Sequence, residues 1–449
     1  MTDLTQGKES RLILRFTVPM LIGNVFQQAA QIVNMAIVGN FVGADAMAAV
    51  GASFHIMFAL IALVMGIGIG GTAVISQYFG ARRYNMVKRA SDTMLVFLTA
   101  AGVLLGGIGV IFARSVLRLT KVPDNLLDDA QTFLTINMFG LFAMFGYNAV
   151  SASLRGIGDS VRPLYFLFIA TALNLALDLL FVVVLDLGIR GVAWATFISF
   201  CISFVLSLVY LNARHELLKF TFRNLSFDGG IFAQALRIGL PSGFQQTFVA
   251  LGGLALVSIV NGMGVEVMTA YTVASRIDTF ISMPAMNFSA ALSAFTGQNL
   301  AAKNYARINR GLYGTLVMSS AVCLAMMAAV VVGGEDIMKF FVKESEQGYE
   351  LIVATGKEYL VIVCSFYIVF SSMFVINGLL RGAGATLTPM FVTLFSLWLV
   401  RLPIAYVLSE YTDMGASGVW WAIPMGWSIG FFGVLIYYFS GKWKNKGVI

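Results

Sequence analysis

The chain has 449 residues, of which 59% are hydrophobic and only 11% charged, and it carries a net charge of +7. Soluble domains hold about 25% charged residues, so this composition excludes an ordinary soluble fold and makes the bilayer the solvent. The Lys and Arg residues gather in alternate loops, which is a mark of membrane topology rather than of a nucleic-acid surface.

Twelve apolar stretches of spanning length follow one another, at 12–39, 47–79, 92–113, 127–153, 162–185, 188–211, 231–261, 264–299, 310–333, 350–380, 385–408 and 415–440. A spanning helix needs roughly 20 residues, so several of these must tilt or protrude. The segment from Met1 to Ser10 is polar, and no cleaved signal is expected. With the N-terminus inside, most of the 29 Lys and Arg fall on the inner side, among them Lys8, Arg82, Arg83, Lys303 and Lys442. That excess predicts both termini in the cytoplasm of a plasma membrane, the bacterial inner membrane.

The chain repeats itself. Leu154-Arg155-Gly156-Ile157-Gly158 with Pro163 returns as Leu380-Arg381-Gly382-Ala383-Gly384 with Pro389. Pro19 with Gln27 and Gln28 returns as Pro241 with Gln245 and Gln246, and Gly188 to Ala195 returns as Gly415 to Ala422. The offset stays near about 220 residues throughout. Six spans per half bring both halves in from the same side, so the repeat is parallel, about an axis along the membrane normal. The expected fold class is therefore all-α: a polytopic membrane protein with twelve transmembrane helices in two six-helix lobes. The lobes are 1–211 and 231–449, joined by 212–230. That joint mixes Arg214, Lys219 and Asp228 with Leu217, Leu218 and Phe220, as an interfacial linker on the cytoplasmic side would. A duplicated helical unit of this kind is a common design for a secondary transporter.

Some motifs mislead. Gly66-Ile67-Gly68-Ile69-Gly70-Gly71 matches G-x-G-x-x-G, but it lies inside an apolar helix, where glycines serve close packing. Gly356-Lys357 resembles the end of a P-loop, yet Leu351 and Glu358 stand where a glycine and a Ser or Thr belong. Cys201, Cys323 and Cys364 lie in apolar stretches and read as small hydrophobes. His55 and His215 form no cluster. An intramembrane enzyme would need a clustered nucleophile and base or metal ligands; the sequence offers none, and no cofactor is expected.

Asp178 stands out. It lies well inside the fifth span, and an acid in lipid is costly enough that its default reading is functional. Asn174, four residues earlier, shares its helix face. Counting from the outer ends of their spans at 1.5 Å per residue, Asp178 and Thr196 lie roughly 10–12 Å deep, with Asn34 a little shallower. Four oxygen-bearing side chains at one level suit a hard cation. The alternative is a polar knot that only holds helices together. At the matching offset the second half carries Val400 and Ile404, so the repeated scaffold does not require the acid.

On these residues the chain resembles the multidrug and toxic compound extrusion (MATE) transporters. The most specific parts are Leu154 to Asp159 with Pro163, Gly39-Asn40-Phe41-Val42-Gly43-Ala44-Asp45, Gln77 before Gly80-Ala81, Ala274 to Asp278, and Gly297-Gln298-Asn299. The resemblance covers nearly the whole chain. It implies two lobes forming a cleft that opens alternately to each side, and export of small organic, often cationic, compounds in exchange for H⁺ or Na⁺. It also implies a cation site in the first lobe, whose spacing Asn174, Asp178 and Thr196 match. One departure matters: Asn34 stands where relatives usually carry aspartate, and an amide cannot take up a proton near neutral pH. Asp178 is then the obvious titratable member.

Gln28 and Gln246, near the middle of helices that the resemblance places beside the cleft, mark an expected substrate path. Met283 and Met286 flank Pro284 and offer the flexible, polarizable surface that suits varied apolar ligands. Arg276, Asp278 and Arg401 are expected to form a gating or charge network. The chain is expected to function as a monomer, with the bilayer and small organic substrates as its partners. A flippase for a lipid-linked precursor is a rival, as is a non-transporting receptor or scaffold. A flippase would need several cavity cations, whereas with the Lys and Arg near the span ends assigned to the two membrane faces only Arg276 and Arg401 remain in the membrane interior.

Overall fold

The computed structural model describes residues 3–119, 122–220, 225–345 and 347–449. These residues form helices and no strands. In lipid each backbone N–H and C=O must find its partner within the segment, and a helix achieves that residue by residue. The first half contains α1 (Glu9–Ile37), α2 (Ala44–Gly80), α3 (Tyr84–Leu119), α4 (Asp124–Gly156), α5 (Val161–Asp178) and α6 (Gly188–Arg214). The second contains α7 (Gly229–Asn261), α8 (Val265–Ala301), α9 (Tyr305–Phe341), α10 (Tyr349–Ser365), α11 (Tyr367–Gly382), α12 (Leu387–Leu394), α13 (Leu402–Glu410) and α14 (Ala416–Phe439).

These helices make twelve spans. Among the described residues nine single spans are long and apolar enough to cross a membrane, one of them running through α12 and α13. The pair α10 and α11 makes a tenth, bent by 50°. The remaining two are α2 and α8, each of 37 residues. Helix α8 carries Arg276 and Asp278 in its membrane-crossing stretch and buries most of its second half. The protein is an integral membrane protein with the expected fold class, two sets of six spans.

The fifth span of each half contains a π-helical turn, at its end in the first half and in its middle in the second. A π-helical turn, Leu179–Val184, follows α5 directly after Asp178. Another, Phe395–Arg401, joins α12 to α13 and ends at Arg401. A third, Val38–Val42, ends the first span. Such wide turns displace backbone hydrogen bonding locally and recur at functional sites.

The repeat also holds at backbone level. Gly158 and Gly384 both adopt positive φ, 86° and 83°, immediately after α4 and α11. Only glycine takes that conformation without strain, which accounts for its return in both copies of the motif.

Two compact units emerge. Unit 1 holds Val18–Gly243, and unit 2 holds Leu4–Thr17 with Phe244–Val448. Their limits fall inside α1 and α7, next to Pro19 and Pro241, whereas the expected limits at 211 and 231 followed the repeat. In unit 2, Leu4 N–H donates to Gln298 (3.0 Å), Asn299 donates to the Leu4 carbonyl (3.1 Å), and Glu9 pairs with Arg307 and Arg310 (3.4 and 3.0 Å). In unit 1 the start of α7 packs on α2. A Cβ on Gly70 would lie 2.2 Å from the Ala235 carbonyl, and one on Gly66 would lie 2.3 Å from Gly243 Cα. The apparent nucleotide motif is thus a helix crossing that only glycine admits. The Asp228 carboxylate accepts the N–H groups of Gly230 (2.9 Å) and Ile231 (3.1 Å), capping α7 where the linker ends.

Candidate functional site

Helices α1 and α5 meet near Gly23: a Cβ there would meet Leu164 and Leu167, and one turn further along the rings of Phe26 and Phe168 lie 4.2 Å apart. From the other side α6 packs on α5, and Asn174 Nδ2 faces Thr196 Oγ1 at 3.5 Å. The π turns after α1 and α5 pack on each other and on α6. The structure therefore places Asn34, Asn174, Asp178 and Thr196 on neighbouring elements of unit 1, with Asn174 and Thr196 facing each other.

The hydrogen bonding there is incomplete. Thr196 donates to the Val192 carbonyl at 3.0 Å. Asp178 is wholly buried, and neither carboxylate oxygen has a hydrogen-bond partner among the described residues. Asn34 Oδ1 is also buried without one. An uncompensated carboxylate away from water costs several kcal/mol (on the order of 3–5), and its two unmet oxygens make Asp178 a candidate cation cradle. Such a cradle takes a proton or a small hard cation, since either supplies the missing positive charge.

The acid of unit 2 is built differently. Tyr367, at the start of α11, donates its hydroxyl to the Asp278 carboxylate. Arg401 lies within electrostatic reach of Asp278, Tyr271 and Tyr359. Around them Tyr271 stacks on Trp420 (5.6 Å, 2°), and Tyr359 meets Trp420 edge-on at 5.0 Å. Arg276 is exposed and lies on another face of α8, and no ion pair joins Arg276, Asp278 and Arg401 among the described residues. The three residues are not one salt-bridge network; Asp278 with Tyr367 and Arg401 is the cluster that exists.

The expected substrate-path residues are divided. Gln28 is half-buried in unit 1. In unit 2 Gln246 is exposed, while its neighbour Gln245 donates to Thr393 at 2.6 Å. Met283 is buried and Met286 is 46% exposed, so of the two only Met286 offers surface to a ligand.

Sequence reasoning missed Tyr367 and the trio of Tyr271, Tyr359 and Trp420. Nothing in their spacing marks them: they come from four helices, and only the packing of α8, α10, α11 and α14 assembles them. It also missed the buried guanidinium of Arg381, which donates to Ser289 at 2.6 Å. Its place in the repeated motif was a signal, but not of its partner.

Comparison with known proteins fits this architecture. A family model described as MatE matches the chain twice, over 19–180 and 241–407, once in each half of the repeat. The probable multidrug resistance protein YoeA of Bacillus subtilis (strain 168) is 32% identical, the match covering 99% of this chain and 97% of the relative. The probable multidrug resistance protein YpnP of the same organism is 30% identical over 98% and 97%. Among solved structures, the outward-facing conformation of a multidrug resistance MATE family transporter of the MOP superfamily superposes with a TM-score of 0.91. It is 23% identical and covers 97% of each chain.

Proposed function

This chain belongs to the MatE family of membrane transporters, and from that premise we propose that it exports small organic compounds by exchange against H⁺ or Na⁺. The observation that carries the coupling is the buried, partnerless Asp178 carboxylate beside Asn34, Asn174 and Thr196. The direction of export rests on relatives named as multidrug resistance proteins. Both termini face the cytoplasm of a bacterial plasma membrane in this reading, which the Lys and Arg distribution and the bacterial relatives support.

The mechanism follows from the charge balance. Empty, the cradle holds a bare carboxylate at a high cost. Occupied, it is neutral, and the π turns next to it can settle into a different packing. A ligand shifts a conformational equilibrium only by binding its two states unequally. The coupling ion is therefore proposed to favour the outward-open state in which α1, α5 and α6 are repacked and substrate is held weakly. Gln28 and Met286 are proposed to contact substrate. Asp278, with Tyr367 and Arg401, is assigned to a charge network that keeps unit 2 rigid. The lobes 1–211 and 231–449, joined at 212–230, are proposed as the moving bodies.

The test is reciprocal competition. By linkage, raising the coupling ion weakens equilibrium substrate binding to purified protein, and saturating substrate weakens ion binding by the same factor. Titrations under H⁺ and under Na⁺, with a panel of cationic dyes, identify the ion. Affinities that stay independent over a wide concentration range would overturn antiport through this site.

A further inference from the structure

The two halves end in related but unequal ways. In unit 2 the chain leaves α14 and returns Trp443 onto Tyr438, with rings stacked at 5.8 Å and 11°. The indole N–H donates to the Tyr438 carbonyl at 3.0 Å, and Trp443 is 1% exposed. Lys444 places its ammonium over the Tyr305 ring at 5.6 Å. The ring is packed and its polar atom is satisfied.

In unit 1 the chain leaves α6 and returns His215 onto Tyr210, as far along in sequence as Trp443 is from Tyr438, with ring centroids 5.6 Å apart. The imidazole is smaller than an indole. An open pocket of about 1120 Å³ lies beside it, lined by Asp159, Arg162, Tyr210, Arg214, His215 and Lys219 among others. His215 is only 6% exposed, and its Nδ1 is buried with no hydrogen-bond partner among the described residues. A buried polar atom left unmet costs about 1–3 kcal/mol, and here it belongs to a residue on the pocket wall.

Charge selects the ligand. Asp159 Oδ1 accepts the N–H groups of Val161 and Arg162 (both 3.2 Å); Oδ2 is ion-paired with Arg162 Nη1 at 3.3 Å but accepts no hydrogen bond among the described residues, so the Arg162 charge offsets it. Glu216 also borders the pocket and is exposed. Arg214 and Lys219 are exposed and form no ion pair among the described residues. A planar guanidinium, a mobile ammonium and a ring nitrogen offer donors to several oxygens at once, which suits a phosphoryl group better than a halide. Burial holds the His215 imidazole below the usual histidine range, opposed by the nearby Asp159 and reinforced by Arg162. A neutral ring carries one N–H, and an oxyanion facing Nδ1 fixes it there.

We propose that this pocket of unit 1 binds a phosphoryl group, carried either by an anionic lipid headgroup or by a free phosphate. The linker is apolar as well as basic, with Leu218 buried and Phe227 52% exposed, the composition of an interfacial segment. In the orientation proposed above the pocket opens to the cytoplasmic leaflet, but binding itself depends on neither that orientation nor transport.

The chain has two histidines, His55 and His215, so imidazole resonances of histidine-labelled full-length protein in detergent micelles are few. Inorganic phosphate and dioctanoyl phosphatidylglycerol are titrated separately, against chloride at equal ionic strength. One imidazole signal, assigned by its absence in His215→Trp, moves and saturates with at least one probe. Saturation with the lipid alone assigns a headgroup, and saturation with phosphate alone assigns a soluble ligand. The double variant Arg214→Gln/Lys219→Gln weakens half-saturation by at least about tenfold, as loss of charge-assisted bonds would. His215→Trp copies the packed ring of unit 2, so it stays folded and loses the probe-dependent rise in melting temperature. No saturable shift with either probe, or one that the double variant leaves unchanged, overturns the proposal.

Discussion

Unit 1 and unit 2 each hold an aspartate within a span, Asp178 fully buried and Asp278 partly so, and they treat it in opposite ways. Asp278 receives the Tyr367 hydroxyl and sits near Arg401 and a wall of aromatic rings. Asp178 receives nothing, although Asn174 and Thr196 stand close enough to bond with each other. A fold that needs a buried acid for stability supplies its partners. A bare carboxylate has no such structural partner, and under the proposed exchange mechanism it is the charge that the coupling ion neutralises.

Removing the bare acid is the strongest way to break this comparison. Asp178→Asn takes away the charge and keeps the shape, so gradient-driven efflux from proteoliposomes should fall to the level of empty vesicles. The melting temperature in detergent should stay level or rise, because an uncompensated buried charge is gone. Wild-type efflux, or a sharp loss of stability, would place Asp178 in the same structural class as Asp278.

The converse substitution acts on unit 2. Tyr367→Phe strips Asp278 of its donor while changing little volume, and it should lower stability by about 1–3 kcal/mol in denaturant titrations. Coupled efflux at a permissive temperature should persist. Lost coupling in a protein of full stability would move the ion-binding role to Asp278.

A subtler change sharpens the comparison within unit 1. Asn34→Asp puts a second titratable carboxylate in the proposed cation site, and two neighbouring carboxylates titrate as a pair. Efflux should become more sensitive to pH between about pH 5 and 8, the range that coupled carboxylates can reach. Superimposable pH profiles of variant and parent would separate the two residues.

The smallest effect belongs to Arg276→Gln. Arg276 is exposed and outside the Asp278 cluster, so stability should change by less than about 0.5 kcal/mol. A destabilisation several times larger, measured by thermal unfolding, would restore Arg276 to the charge network.

Much of this was legible before any coordinates. The approach of Asn174 to Thr196 was legible because helical rise is constant and the spans have countable ends. Asp278 was legible as an acid within a span, but its partner was not. Tyr367 lies in another span, and one tyrosine among apolar residues carries no periodic signal. The glycines of α2 were legible as packing residues, yet their partners Gly239 and Gly243 were not.

The sequence alone determined that this protein lives in lipid, crosses it twelve times, and is built as two parallel six-span repeats. Those properties depend on composition and on local periodicity, which every stretch of chain carries within itself. Only the tertiary structure decided that Asp178 is bare while Asp278 is bonded. It also decided that the ends of α1 and α7 belong to units other than those of their repeats, and that His215 borders an open pocket while Trp443 packs closely. Each of these depends on which side chains from distant spans meet at one point. Lipid drives every apolar segment to become a helix but leaves the choice of partners to packing and hydrogen bonds between helices.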